Sequence, residues 1–422
     1  MFESLLNVIM KTIKYSFVFF SIFMLVETTG QCQEVNNKSP ERPVQAAGTP
    51  VETLAKNKDY PPAFVGQTRV AGLRTSANIQ HELITSALSA PWGIVSLPDG
   101  RLLITQKAGQ LHIVTKAGAV SDPITGIPAV NSGGQGGLLG LCIDPQFATN
   151  RMVYWVFSEK RTDGNLTSVA KGRLSDNETS IEKPVVIYRA IPADKSEAHY
   201  GSRIVFDANQ NLFVSTGERA WPRTRDSAQS VSAALGKIVH ITKDGTPAPG
   251  NPSFSTGALP ELYSIGHRNP QGLAIHPVTG ELWESEFGPR GGDEINRIRA
   301  GANYGWPLIT YGIDYSGQTM GAGIQQKQGM EQPVYYWDPV ISPSGITFYK
   351  GNRIPEWQNN LFICALSGQH IARLVIDGKN KIVGEERLLT GEHQRFRDIT
   401  QGTDNALYAI TDAGRLYRID KK

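Results

Sequence analysis

"IVFDANQNLFVSTGE" (Ile204–Glu218) reads as two short strands around a tight turn. Apolar residues alternate with small or polar ones on both sides of "DANQN", and Asp and Asn supply the backbone geometry that a turn needs. The same grammar returns five more times. It recurs in "IVSLPDGRLLITQ" from Ile94, "LCIDPQFATNRMVYWVFS" from Leu141 and "LAIHPVTGELWESEFG" from Leu273. It recurs again in "ITFYKGNRIPEWQNNLFICA" from Ile346 and "ITQGTDNALYAITDAGRLYRI" from Ile399. Successive starts lie 47 to 73 residues apart, room for one four-stranded blade and a variable loop. Few segments carry a helical stripe. Six such repeats predict an all-β, six-bladed β-propeller over residues 63–422.

The largest insertions follow the second, third and fourth repeats. They hold "SEAHYGSR", "GERAWPRTRDSAQS" and the stretch beyond "GPRGGDEIN". In repeat folds the extra loop residues usually build the site.

Composition bounds the function. Of 422 residues 40% are hydrophobic, enough for a core, and 43 Gly with 25 Pro imply many turns. A net charge of +3 and the lack of any basic run argue against nucleic acid as a partner. "MKTIKYSFVFFSIFMLVETTG" from Met10 has two early lysines, an apolar run from Tyr15 to Val26 and small residues after it. That pattern is a secretion signal over residues 1–30. The run is too short to span a bilayer of about 30 Å, so no transmembrane anchor is expected in the mature chain. The expected location is periplasmic or secreted. Cys32, just past the cleavage region, is a candidate lipid attachment point. Residues 31–62 are polar and aperiodic and read as a flexible tether. Three cysteines make no disulfide framework, and Cys142 and Cys364 lie in strand-like runs as expected buried thiols.

Candidate chemistry concentrates in "GHRNPQGLAIHP" (Gly266–Pro277) and "LWESEFGPRGGDEIN" (Leu282–Asn296). The Gly-Pro turn brings backbone carbonyls beside Asp293 and Glu294, and hard cations such as Ca²⁺ take carbonyl and carboxylate oxygens together. Arg268 and Asn269 add a fixed cation and an amide. Arg395 and Arg397 in "QRFRD" would point to one side of a strand, where on spacing alone they read as a solvated face. His112, His240 and His276 read as structural, and no pair has zinc-binding spacing. His199, at the mouth of a repeat in "EAHYGSR", is the candidate base. No G-x-S-x-G elbow and no G-x-G-x-x-G phosphate loop occurs, which argues against a serine hydrolase and a nicotinamide enzyme. A cation site, an Arg cluster and a lone base suit an anionic cofactor held by calcium.

Seven stretches carry a family resemblance. "PWGIVSLPDGRLLIT", "GGQGGLLGLCIDPQF", "HYGSRIVFD", "IGHRNPQGLAIHP", "SEFGPRGGDEIN", "GANYGWP" and "QRFRD" occur in the order found in soluble pyrroloquinoline quinone (PQQ) dependent aldose sugar and glucose dehydrogenases. The chain resembles that family from "FVGQTRVAG" to its end, about 85% of its length. The resemblance implies a six-bladed propeller that oxidises the anomeric hydroxyl of an aldose to a lactone. It implies PQQ and Ca²⁺ as cofactors and an external electron acceptor as partner. It makes His199 the general base, with Gln135 beside it, and sets Arg268 and Asn269 against the quinone oxygens. Carbonyls of Gly288 and Pro289 would ligate the cofactor calcium, and Glu294 with Tyr304 a second, structural calcium. Tyr315, Ala365, Arg395 and Arg397 would line the cofactor, the arginines facing its carboxylates. Some members carry Lys where this chain has Ser367.

Two other readings use the same fold. A calcium-dependent lactonase would need a carboxylate cage on the propeller axis. A non-catalytic carbohydrate- or protein-binding propeller would leave the polar cluster idle. Fold alone does not choose among them.

Overall fold

The computed structural model describes residues 48–422. Within them six antiparallel sheets follow one another in chain order, and the first strand of each touches the first strands of its two neighbours around a ring. These first strands are Pro91–Ser96, Leu138–Ile143, Ile204–Phe206, Pro270–Ile275, Pro343–Phe348 and Phe396–Gln401. They number the blades one to six. Each pairs with the strand after it, so every hairpin read from the sequence is the inner half of a blade. Blade one has three strands and the other five have four.

The ring closes by joining the two ends of the propeller. Strand Ile79–Thr85 pairs antiparallel with Leu416–Lys421, Ile79 opposite Lys421 and Leu83 opposite Tyr417, and completes blade six. The hydrophobic effect then acts between blades rather than at one centre. Leu103, Trp155 and Phe157 fill the gap between blades one and two. Trp283, Trp337 and Phe348 fill the gap between four and five, and Trp357, Phe362 and Tyr417 the gap between five and six.

Around the axis the inner strands approach too closely for side chains at certain points. A Cβ at Gly140 would run into the Ser202 carbonyl of the next blade, and one at Gly345 into the Asp398 carboxylate. The axis itself is polar. Asp398 is buried and accepts from the Ile94 N–H at 3.0 Å and from Arg203 Nη1. Arg203 also donates to the Gln271 carbonyl at 2.9 Å and lies 4.4 Å from the Trp92 ring centre. One ion pair thus links blades one, three, four and six.

Residues 48–62 differ from the flexible tether expected of 31–62. Glu52 pairs with Arg387 at 2.9 Å, and Asn57 donates through its backbone and side chain to Asp338. Arg69 donates to the carbonyls of Glu52, Leu54 and Asp338. Polar bonds between residues far apart in sequence hold this segment on blades four and five, and no apolar period announces them. The candidate signal, Cys32 and the rest of the tether lie outside the described residues. No helix among the described residues is long and apolar enough to cross a membrane. His112, His240 and His276 are bonded within blades. Cys364 is buried, whereas Cys142 is only partly so.

Candidate active site

His199 stands on a turn that leads into blade three, with its own φ at +47° and that of Ser202 at +80°. Its backbone N–H donates to Gln135 Oε1 at 2.8 Å, and the Gln135 N–H donates to the Glu197 carbonyl at 2.7 Å. Its Nδ1 lies 2.7 Å from Glu218 Oε1, and both side chains are buried. Glu218 lies two residues beyond the second strand of blade three, Leu212–Thr216. Its backbone N–H donates to the Arg268 carbonyl at 3.0 Å, and Asn269 Oδ1 accepts the Gly201 N–H at 3.0 Å. His199, Gln135, Arg268 and Asn269, all read from the sequence, therefore come together, and Glu218 joins them.

Electrostatics set the state of the imidazole. Burial and the nearby Arg268 guanidinium outweigh the attraction of Glu218 and push its pKa down from 6.5 to about 4. A neutral ring donates Nδ1–H to the carboxylate and keeps its lone pair on Nε2.

Arg268 is held by its surroundings yet not saturated. Its N–H donates to Glu286 Oε2 at 2.6 Å, Nη1 to the Phe287 carbonyl at 3.2 Å and Nη2 to the Tyr315 hydroxyl at 3.4 Å. Arg268 Nε and Asn269 Nδ2 are buried and have no hydrogen-bond partner. Buried donors without acceptors are costly in a finished core and fit a ligand rich in acceptor oxygens.

The second arginine pair shares one carboxylate. Arg395 Nε and Arg397 Nε donate to Asp412 at 2.9 and 2.8 Å, and Arg397 Nη1 donates to Gln271 Oε1 at 2.9 Å. Both do point to one side, and the cluster holds one excess positive charge. Tyr315 is exposed apart from its bond to Arg268. Ala365 is wholly buried in the core between blades four and five, and no bond ties it to the His199 group. Ser367 Oγ lies 2.7 Å from Ser342 Oγ.

Two places suit cations. The Gly288 N–H donates to Asp293 Oδ1 at 2.8 Å, while Asp293 Oδ2 accepts the N–H groups of Ile341 and Ser342 at 2.7 Å each. Asp293 is thus a brace that shapes the turn. The carbonyls of Gly288 and Pro289 accept no hydrogen bond among the described residues and remain free for a hard cation. Behind them Glu284 and Glu286 face Asn296 and Glu294 across neighbouring strands of blade four. Ligand atoms of His267, Glu284 and Glu286 all lie within 4.8 Å of one another. Glu284 Oε1 and Asn296 Oδ1 are buried without partners. Burial and mutual repulsion raise the pKa values of Glu284 and Glu294 far above the carboxylate range. A cation there would relieve both costs. The Tyr304 hydroxyl is taken by the Arg297 carbonyl and the Arg299 N–H, so Tyr304 has only its backbone carbonyl to offer.

A profile described as Glucose / Sorbosone dehydrogenase matches residues 88–418. The chain belongs to this family. The Escherichia coli aldose sugar dehydrogenase YliI is 38% identical over 352 residues, covering 82% of this chain and 94% of the relative. Quinoprotein glucose dehydrogenase B of Acinetobacter calcoaceticus is 27% identical over 424 residues, covering 82% and 88%. Among solved structures, the apo soluble aldose sugar dehydrogenase of Escherichia coli superposes with a TM-score of 0.78 at 37% identity, covering 82% of this chain and all of that one. The PQQ-bound aldose sugar dehydrogenase of Streptomyces coelicolor superposes with a TM-score of 0.67 at 29% identity, covering 82% and 99%.

As a member of the glucose / sorbosone dehydrogenases the protein is an oxidoreductase. Sequence reasoning missed Glu218, Glu284, Glu286, His267 and Asp412. "ESE" against "EIN" did carry a signal: carboxylates at every second position of two neighbouring strands share a face. Glu218 had none, because only the fold brings it to His199.

Proposed function

We propose that the protein is a periplasmic or secreted quinoprotein that oxidises the anomeric hydroxyl of aldose sugars to lactones, with PQQ and Ca²⁺ as cofactors and an external electron acceptor. The observation that carries this reading is the buried His199–Glu218 pair beside the unpartnered donors of Arg268 and Asn269. Quinone oxygens and carboxylates are the acceptors those donors lack, and the excess charge of the Arg395–Arg397–Asp412 cluster favours an anionic cofactor. PQQ, when bound, supplies the carbon that accepts hydride from sugar C1.

The chain's own residues do the rest. Glu218 fixes the ring through Nδ1, so Nε2 takes the proton of the anomeric hydroxyl. Gln135 holds the His199 backbone and orients that turn. Arg268 and Asn269 present donors to oxygen atoms on which negative charge grows. The Gly288 and Pro289 carbonyls would hold the cofactor calcium. Glu284, Glu286, Glu294 and the Tyr304 carbonyl would hold a structural one.

The lactonase reading loses its footing at the axis, where Asp398 is spent on Arg203. Purified protein supplied with PQQ and Ca²⁺ should reduce a dye when aldoses are added, and show no burst of lactone hydrolysis. Lactone hydrolysis without PQQ, and no dye reduction by any aldose, would overturn the proposal.

A further inference from the structure

The turn that carries His199 is gripped at two consecutive residues by two consecutive residues. His199 meets Glu218, and the next residue, Tyr200, meets the next, Arg219. The Arg219 guanidinium lies 3.7 Å from the Tyr200 ring centre, and the two residues are 1% and 2% exposed. Arg219 Nη2 donates to Asn165 Oδ1 and to the Ser196 carbonyl. The Tyr200 hydroxyl donates to the same Asn165 oxygen at 2.6 Å. Arg219 Nε and Nη1 have no oxygen partner, and no carboxylate pairs with Arg219 among the described residues. Glu218 and Asp194 act on this buried guanidinium only from beyond ion-pair distance, so the Tyr200 ring face, Asn165 and the Ser196 carbonyl offset its lost hydration. Arg219 and Ala220 both take left-handed φ, at +73° and +65°. Strain of this kind collects where function needs a fixed geometry.

We propose that Arg219 is a positioning residue, whose guanidinium clamps the Tyr200 ring and the Ser196 carbonyl and so fixes the orientation in which His199 meets Glu218. The inference rests on His199 as the base of the proposed oxidation. Charged groups that face the imidazole are Glu218 and Arg219, after blade three's second strand, and Arg268, at the entrance to blade four. Arg219 therefore contributes position and one of two nearby positive charges.

The test compares Arg219→Met, Arg219→Lys, Tyr200→Leu and Tyr200→Phe with the parent protein. Imidazole ¹⁵N NMR of the cofactor-free protein reports the His199 tautomer without any assay of activity. The parent, Tyr200→Phe and Arg219→Lys should show one tautomer, protonated at Nδ1. Arg219→Met and Tyr200→Leu should show a mixture. With PQQ and Ca²⁺ supplied, Arg219→Met should lose about tenfold in kcat at nearly unchanged KM. Its acid limb in kcat/KM should move to higher pH, because a cation beside the base is gone, while that of Arg219→Lys stays in place. An unchanged tautomer in both Arg219→Met and Tyr200→Leu overturns the proposal. So does an equal loss of kcat in the Lys and Met variants with an unmoved limb. Should Arg219→Met fail to fold, Tyr200→Leu against Tyr200→Phe decides alone. Tautomer mixing in a protein that oxidises no aldose would uphold the clamp and sink the functional reading instead.

Discussion

At the scale of the residue, the proposed chemistry turns on His199. Its replacement by Ala should lower kcat by about 10²-fold or more while PQQ still binds, as followed by its absorbance. Near-normal turnover would remove it as the base. Its depressed pKa has a second consequence. A base that charges only near pH 4 keeps its lone pair through mild acid, so the acid limb of kcat/KM should fall near pH 4 rather than 6.5. A limb near 6.5 would show that burial and Arg268 do not govern the ring. The sign for stability follows by linkage. Between about pH 6.5 and 4 the unfolded chain binds a proton at His199 that the folded chain refuses, so stability falls as pH drops through that window. His199 was legible in the sequence as a candidate because it stands among small residues at a loop–strand junction. Glu218 was not, for its partner lies 19 residues away and a terminal "TGE" looks like any turn.

At the scale of the element, blade four carries both halves of the candidate metal chemistry. Its hairpin turn exposes carbonyls, and its two middle strands face Glu284, Glu286 and Glu294 toward one another. Like charges opposite each other oppose sheet pairing. Without a cation the cluster must take up protons to lose that charge, which a bound cation would spare it. Calcium should therefore raise the melting temperature of the cofactor-free protein, since a ligand of the folded state alone adds about 2.7 kcal/mol at a hundredfold excess over Kd. Glu284→Gln should raise the melting temperature in chelator and shrink the gain from calcium. Thermal scans of both forms, with chelator and with excess Ca²⁺, read the effect. Superimposable curves for the parent protein would strike the structural site from the account. The turn was readable from "GPRGGDE", where glycines crowd beside two carboxylates, and the same stretch carries the proposed cation site. Asp293, read there as a neighbour of the metal, proves to be the brace of the turn, since three backbone N–H groups already claim its oxygens.

At the scale of the whole molecule, six hairpins were visible because each encodes its strands and turn locally. The closure was not. "IQHELIT" shows no partner nearby, and its pairing spans more than three hundred residues, from Ile79 to Lys421. Such a strand is bought at the entropy of a very long loop, yet that cost grows only with the logarithm of length. What it returns is a ring without an open gap between blades six and one, where Ile84, Leu88, Ile104 and Ile410 pack. The six paired positions contribute roughly 0.5–1.5 kcal/mol each as hydrogen bonds, a few kcal/mol in all. Two shortened chains isolate this term. One starting at Ala77 retains the closing strand, and one starting at Ala87 lacks it, so the pair differs by that strand alone. The first should unfold in one cooperative transition. The second should melt several degrees lower and self-associate through the bare edge of Leu416–Lys421, which light scattering would detect. Equal melting temperatures and a monomeric second chain would mean that packing between blades, and not the joined ends, holds the ring shut.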